Sequence, residues 1–395
     1  MPLPILALFI AAFAFGTTEF VIAGLLPQVA DGLSVTIPQA GYLVTGYALG
    51  IAIGGPLMTI VTAAMPRRRL LIVLVSVFAI GQVACALAPG FASMLAVRVA
   101  VAIAHGVFFG VAMVVAVSLV AEEKRGMAVA FVLAGLTVSN IVGVPVGTAI
   151  GGAFGWRATF WAMFGLGVVA AVAMIALLPA ARRDAPKPAP NLRGEVRVLG
   201  RQQVWTSLII MQTLMIAQFV PYTFIVPLLT DVTGIAPATV PLILLVNGIG
   251  ATAGVLLGGR LAGRRLMPLL VAVLLAQSAA LAVMYAVAPY PLPMVVVVVL
   301  WGMLAFTIGT PIQTRILTWT ADAPNLASSL IPAGFNVGIA LAATVGSLLL
   351  AAGFGYRSLP VLGVFSMLLG AVVAALSWRA EKRRGESPPV AATAA

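Results

Sequence analysis

Residues 3–26 read LPILALFIAAFAFGTTEFVIAGLL, an apolar run in which Glu19 is the one charged side chain. As a helix this run is long enough to cross about 30 Å of hydrocarbon. A helix also satisfies its own backbone polar groups, as a lipid-embedded segment must. Comparable runs recur at 40–63, 70–88, 93–118, 127–152, 158–178, 204–228, 238–259, 269–288, 293–317, 327–350 and 359–378. Composition agrees: of 395 residues 62% are hydrophobic and 8% charged, with a mean hydropathy of +1.15, far outside the range of a soluble domain. The expected fold is an all-α integral membrane protein of twelve transmembrane helices. The first span exceeds a signal-peptide core, carries Glu19 and lacks a preceding basic region, so it is read as retained.

A formal charge of +12 in a soluble chain would point to nucleic acid, but here the basic residues follow membrane topology. They fall after even-numbered spans: Arg67, Arg68 and Arg69; Lys124 and Arg125; the Arg182 to Arg201 group; Arg260, Arg264 and Arg265; and Arg379, Lys382, Arg383 and Arg384. Loops after odd-numbered spans hold Arg157 and Arg357 as their basic residues. The bias predicts a multi-pass protein with both termini in the cytoplasm. Cys85 stands alone mid-span and His105 is the single histidine, so neither a disulfide nor a metal site is expected.

The polar stretch 179–203, PAARRDAPKPAPNLRGEVRVLGRQQ, divides the chain into an N-terminal six-helix bundle, 1–178, a cytoplasmic linker, a C-terminal bundle, 204–378, and a tail, 379–395. The bundles repeat one another. Phe154-Gly155-Trp156-Arg157 matches Phe354-Gly355-Tyr356-Arg357, each between the fifth and sixth span of its half. Gly46, Gly50 and Gly54 answer Gly250, Gly254 and Gly258. Gly135, Ser139, Gly143, Gly147 and Gly151 answer Gly334, Gly338, Ala342 and Gly346. Small residues four apart share a helix face and allow backbones to approach, so the second and fifth helices of each half should carry the tightest seams. Two repeated bundles are the architecture of secondary transporters, which place their substrate site between halves.

Glu19 lies about 11 Å from the outer end of the first span if that span stops near Pro27. A carboxylate there must be protonated, paired or wetted. It is either a structural partner for a buried cation or an acid that carries protons or binds substrate. Arg98 in span four enters at a similar depth and is the candidate cation. Close pairing would hold the glutamate ionised, whereas burial alone favours the neutral acid. His105, two turns further along nearly the same face, is either a second proton carrier or a neutral histidine packed beside Gly106 and Gly110. No other carboxylate lies inside an apolar run, so carboxylate-based coupling runs through Glu19. Buried amides, Gln82, Asn140, Gln212, Gln218, Asn247, Gln277, Gln313 and Asn336, are structural or substrate-binding. Arg315 is expected to snorkel to the cytoplasmic surface. Aromatic residues including Phe13, Phe15, Phe108, Phe109, Phe219, Tyr222, Trp301 and Phe306 line a pocket or face lipid and core. No nucleotide-binding Gly-x-x-x-x-Gly-Lys-Ser/Thr motif and no nucleophile-and-base motif occurs, so neither ATP nor hydrolysis is expected.

Several segments together resemble the major facilitator superfamily, in its twelve-span drug:proton antiporter branch. FAFGTTEFVIAGLLPQVA and RVAVAIAHGVFFGVA look like the branch of chloramphenicol exporters and arabinose-efflux-like permeases, and GVPVGTAIGGAFGWRATF, Gly143 to Phe160, is similar to the antiporter signature of span five. The superfamily's loop after span two usually carries an aspartate. This chain has GGPLMTIVTAAMPRRRLL, keeping Gly55, Pro56 and Arg67 to Arg69 without it.

The resemblance implies a rocker-switch transporter in the bacterial cytoplasmic membrane, with spans one, four, seven and ten lining a cavity. Glu19, Arg98 and His105 would serve proton coupling. Phe13, Asn140, Gln212, Gln218, Gln313 and Asn336 are the expected substrate residues, with Gly55, Pro56, Arg67, Arg68, Arg69, Gly143, Pro145, Gly147 and Gly151 as conformational motifs. Spans two, five, eight and eleven would form the sliding seam between halves. The expected function is proton-driven export of a small amphipathic compound such as a chloramphenicol-type antibiotic, by a monomer without cofactor, metal or nucleic-acid partner. A sugar, nucleoside or other metabolite exporter is the alternative, and beyond it a passive facilitator or a receptor.

Overall fold

The computed structural model describes residues 2–179, 197–261, 266–321 and 323–385, with the backbone alone at 324–329. Residues 180–196 of the polar stretch, Arg264, Arg265 and the tail beyond 385 lie outside the described residues. The described chain is helical, with no strand, and twelve of its helices are long and apolar enough to cross a membrane. They are α1 (Leu3–Gly32), α2 (Ile37–Val61), α3 (Arg67–Ala86), α4 (Phe91–Ser118), α5 (Glu122–Phe154), α6 (Trp156–Leu177), α7 (Gln202–Thr223), α8 (Pro237–Leu261), α9 (Leu266–Val287), α10 (Pro291–Trp319), α11 (Leu330–Ala351) and α12 (Tyr356–Arg384).

Proline accounts for most departures from the expected boundaries. Pro27 was expected to close the first span, yet α1 continues through it to Gly32, because a proline inside a packed membrane helix is tolerated where neighbours shield the freed carbonyl. In α2 and α5 a π turn, at Gly50–Gly54 and Ser139–Gly143, ends two residues before Pro56 and Pro145. A proline cannot donate to the carbonyl four residues back and its ring collides with it, and the wider turn absorbs that conflict. The expected continuous span 204–228 breaks at Phe224 (φ −112°, ψ 26°). Pro227 lies four residues after Thr223, whose carbonyl it cannot serve.

The contacts group the chain into two compact units. One comprises 1–187 with 223–230 and 235–245, and the other 188–222, 231–234 and 246–395. In the first, α1 packs on α5 and α6, α2 on α4, and α3 on both α4 and α6; in the second, α9 packs on α10 and α12. The third and sixth helices of each half thus pair alike. The core of the first unit gathers Ile5, Leu8, Phe15, Tyr47, Leu71, Phe78 and Phe108. On α12, Phe365, Leu369, Val372 and Leu376 are each more than half exposed. An apolar stripe at this helical spacing is stable only against lipid.

The small-residue ladders do form the closest approaches, but inside a unit. A Cβ on Gly50 would meet the Val99 carbonyl oxygen at 3.1 Å, and one on Gly55 would lie 3.0 Å from the Gly106 Cα, so α2 is pressed onto α4. Gly250, Gly254 and Gly258 of α8 lie against the backbone carbonyls of Val299, Met303 and Thr307 in α10. Gly135, Gly143, Gly147 and Gly151 bring α5 onto Phe9, Thr17, Val21 and Leu25 of α1, and Gly334 and Gly338 bring α11 onto Met211 and Met215 of α7. The expected place of the ladders on a seam between halves is therefore corrected: these faces join helices within one half, where removal of the side chain lets backbones touch.

The two Gly-aromatic-Arg turns also do matching work. Arg157 donates to the Ala88 carbonyl beyond the end of α3 and covers the Trp156 ring at 4.2 Å. Arg357 donates to the Tyr285 carbonyl near the end of α9 and covers that residue's ring at 4.5 Å. Each guanidinium sits where a helix C-terminus presents unsatisfied carbonyls. The backbones differ: the left-handed residue is Gly155 (φ 85°) in the first turn and Gly353 (φ 90°) before the second.

Candidate functional site

Thirteen residues separate Glu19 from the end of α1 at Gly32, which places it about 20 Å along the axis from that end. Arg98 lies seven residues into α4 from Phe91 and His105 fourteen, or about 10 Å and 21 Å. Extending α1 past Pro27 therefore carries Glu19 beyond the level of Arg98 to that of His105. The geometry follows: Glu19 Oε2 stands 3.8 Å from His105 Nε2, and the two side chains are 10% and 5% exposed.

Arg98, the partner expected from the sequence, turns elsewhere. Its Nε donates to the Leu43 carbonyl and its Nη1 to the Thr18 carbonyl, each at 3.4 Å, while its guanidinium lies 4.7 Å from the centre of the Tyr47 ring. Its Nη2 is buried without a hydrogen-bond partner. Arg98 thereby ties α4 to α1 and α2, and it keeps one donor arm uncommitted beside the carboxylate-bearing helix.

Tyr47 is the member of the site that sequence reading missed. Its hydroxyl is 3.0 Å from His105 Nδ1, and its ring meets the imidazole edge-on at 5.8 Å between centroids. Phe15 and Phe109 pack on the same imidazole at 5.1 Å and 5.0 Å, and Phe108 stacks on Phe15 at 4.9 Å. A tyrosine among apolar residues of α2 reads as packing, and the available signal was depth. Tyr47 lies ten residues into α2 from the side at which α4 also begins. The result is a chain of polar groups, Arg98, Tyr47, His105 and Glu19, enclosed by aromatic rings and carried on three helices of one unit.

The remaining expected residues divide. Phe13 is half-buried, its carbonyl accepting from the Thr17 hydroxyl. Asn140 donates to the Leu136 carbonyl of its own helix. Gln212 Nε2 donates to the Gly334 carbonyl at 2.9 Å and leaves its Oε1 buried and unpartnered. Asn336 donates within its helix to Pro332 and likewise keeps an unpartnered oxygen. Gln218 accepts from Gln277 Nε2 at 3.5 Å, whereas Gln313 is exposed.

In the first half Thr18 donates to Gln82 Oε1 at 3.1 Å, so each half joins its first helix to its third by one polar staple. Two hundred positions after Thr18 and Glu19 stand Gln218 and Phe219: the staple repeats and the acid does not. Among the motif residues, Gly55, Pro56, Gly143, Pro145, Gly147 and Gly151 occupy the π-turn regions and ladders described above. Arg68 donates to the carbonyls of Leu178 and Ile175 at the end of α6 at 2.9 Å and 2.7 Å. Arg67 is half-buried and Arg69 exposed.

Arg315 does not snorkel. It is 2% exposed and donates to Ser207 Oγ and Ser377 Oγ, each at 2.8 Å, to Met267 Sδ, and to both oxygens of Glu381, one at 3.3 Å. The last helix continues six residues past the expected end at 378, which carries Glu381 inward beside it. A second carboxylate is therefore largely buried, 14% exposed, but a guanidinium holds it.

A model of the Major Facilitator Superfamily matches residues 8–318. The chain is 38% identical over 376 residues to the Escherichia coli (strain K12) inner membrane transport protein YdhP, covering 95% of this chain and 96% of that one. It is 36% identical over 344 residues to a chloramphenicol resistance protein of Streptomyces lividans, with 86% and 87% covered. In fold it is similar to a bacterial homolog of the human lysosomal transporter Spinster, at a TM-score of 0.79 and 17% identity over 98% of both chains. That family and those relatives are transporters rather than enzymes, as the absence of catalytic motifs led one to expect. Twelve apolar helices, a duplicated half and kinship along nearly the whole length have one reading: this chain belongs to the Major Facilitator Superfamily and is a multi-pass membrane transporter of small molecules.

Proposed function

We propose that the chain is a proton-coupled antiporter that exports a small amphipathic compound across the bacterial inner membrane by alternating access, with a chloramphenicol-type antibiotic as the leading substrate class. The observation that carries this reading is the Glu19–His105 pair, two titratable side chains 3.8 Å apart inside membrane-spanning helices. Ionisable groups at that depth are costly unless they serve a pathway. Glu19 accepts the proton. Neutralising it removes the charge that faces His105 Nε2, and restoring the charge renews the attraction, so the protonation state biases a two-state helix arrangement. The uncommitted Nη2 of Arg98 supplies a donor to substrate, or to Glu19 when the helices shift. The chloramphenicol resistance relative supports the substrate class. Both termini lie in the cytoplasm on this reading, and the chain works as a monomer.

The decisive experiment uses inside-out vesicles with an imposed pH gradient. Wild type should accumulate chloramphenicol and Glu19→Gln should not, while keeping its fold. Normal gradient-driven uptake by that variant would remove the coupling role. A second reading, export of a sugar or nucleoside, draws on the unpartnered oxygens of Gln212, Gln277 and Asn336, which suit hydrogen-bonding cargo. Susceptibility of cells with and without the protein to an antibiotic panel separates the two.

A further inference from the structure

His105 can place its ring hydrogen on either nitrogen, and its surroundings choose one. The Tyr47 hydroxyl is buried with its residue 2% exposed, and a buried hydroxyl hydrogen left without an acceptor is costly. Among the described residues its acceptor is His105 Nδ1 at 3.0 Å. If the hydroxyl donates, Nδ1 must carry the lone pair and the neutral imidazole holds its hydrogen on Nε2. The other end of the ring gives the same answer independently. Nε2 faces the Glu19 carboxyl oxygen, and a hydrogen directed at a carboxylate is favourable where a lone pair would repel it. Arg98 holds the Tyr47 ring by its guanidinium at 4.7 Å while fixed to the carbonyls of Leu43 and Thr18.

We propose that Tyr47 is a positioning residue for the proposed proton coupling: its hydroxyl, by donating to His105 Nδ1, locks the neutral imidazole in the tautomer that presents Nε2–H to Glu19. Arg98 acts one step further out: its guanidinium holds the tyrosine ring in place, and it attracts the acid electrostatically without a direct hydrogen bond. The inference deepens the reading of Glu19 and His105 as the coupling pair. Among the described residues the titratable groups that face the imidazole are Glu19 from α1 and Tyr47 from α2, and Arg98 on α4 itself and Cys85 from α3 act in turn on Tyr47.

Because His105 is the single histidine of the chain, nitrogen NMR on full-length protein labelled with ¹⁵N-histidine, in lipid nanodiscs, reads this one ring without assignment. At a pH where the ring is neutral, wild type should show Nδ1 in the unprotonated range and Nε2 in the protonated range. Tyr47→Phe should lose that bias, which for one such bond is roughly tenfold in tautomer ratio, and shift both resonances toward the average. It should also alter the pH profile of efflux. A wild-type spectrum with the hydrogen on Nδ1, or Tyr47→Phe shifts equal to wild type, overturns the proposal. The wild-type spectrum decides even if the variant fails to fold. A correct tautomer together with gradient-independent transport would instead sink the coupling reading and leave the positioning of His105 intact.

Discussion

Removing Glu381 should destabilise the second unit more than its place near the chain end suggests. Glu381→Ala strips the charge partner from a guanidinium that is 2% exposed and leaves it only the hydroxyls of Thr206, Ser207 and Ser377 and the Met267 sulfur. At 3.3 Å between Arg315 Nη1 and Glu381 Oε2, the direct attraction is on the order of 5 kcal/mol for an effective dielectric near 20. Breaking one side of a buried pair costs about 3–5 kcal/mol. Glu381 keeps 14% of its surface exposed, so the lower end, about 3 kcal/mol, is expected. Replacing both partners, Arg315→Met with Glu381→Leu, removes the orphaned charge and should recover most of that loss. The assay is denaturant unfolding of purified protein in detergent, followed by tryptophan fluorescence, since Trp301 and Trp319 are buried on α10. With the single variants Arg315→Met and Glu381→Leu added, wild type and the double variant close a double-mutant cycle. A loss below about 1 kcal/mol for Glu381→Ala, or a double variant as unstable as the two singles added, would refute the reasoning.

Gly147→Leu should lower the melting temperature and impair transport, because its Cβ would lie 2.6 Å from Val21 Cγ2 and 3.2 Å from Thr159 Cγ2. Overpacking of that kind costs about 1–3 kcal/mol. Gly152→Leu, one position after Gly151 with open space around it, is the control and should melt like wild type. Arg68→Ala should cost about 1 kcal/mol, the loss of two partly exposed bonds that cap α6, read as a small drop in unfolding midpoint with transport retained. A midpoint unchanged within error would show that those bonds contribute nothing measurable.

The twelve spans were legible because hydrocarbon imposes one rule on every segment, a long apolar run, and the chain obeys it without exception. Their ends were harder to read. Pro27 looks like a stop in water and is not one inside a packed bundle, and that single misplacement shifted Glu19 by about one and a half turns and hid His105 as the side chain its carboxyl faces most closely. Arg315 was misread for a related reason: its partner Glu381 sits among Arg379, Lys382, Arg383 and Arg384 and reads as part of a solvated tail until the helix is seen to continue. Tyr47 left no mark in hydropathy because most of its surface is an aromatic ring. The ladders were found by their spacing, but spacing cannot say which helix lies opposite. That required the backbones themselves.

The polar staples between first and third helices survive in both halves, while position 19 is an acid and position 219 a phenylalanine. An ancestral gene duplication would have delivered the same residue to both places, so one copy has diverged while its scaffold stayed. Under the proposed coupling through Glu19, the energy-harvesting chemistry occupies one descendant alone, and the other is released to vary with the cargo. Relatives that handle different compounds should accordingly differ more around Phe219, Tyr222 and Trp301 than around Glu19, Tyr47 and His105. A directed-evolution experiment toward a new substrate would gather its mutations there first.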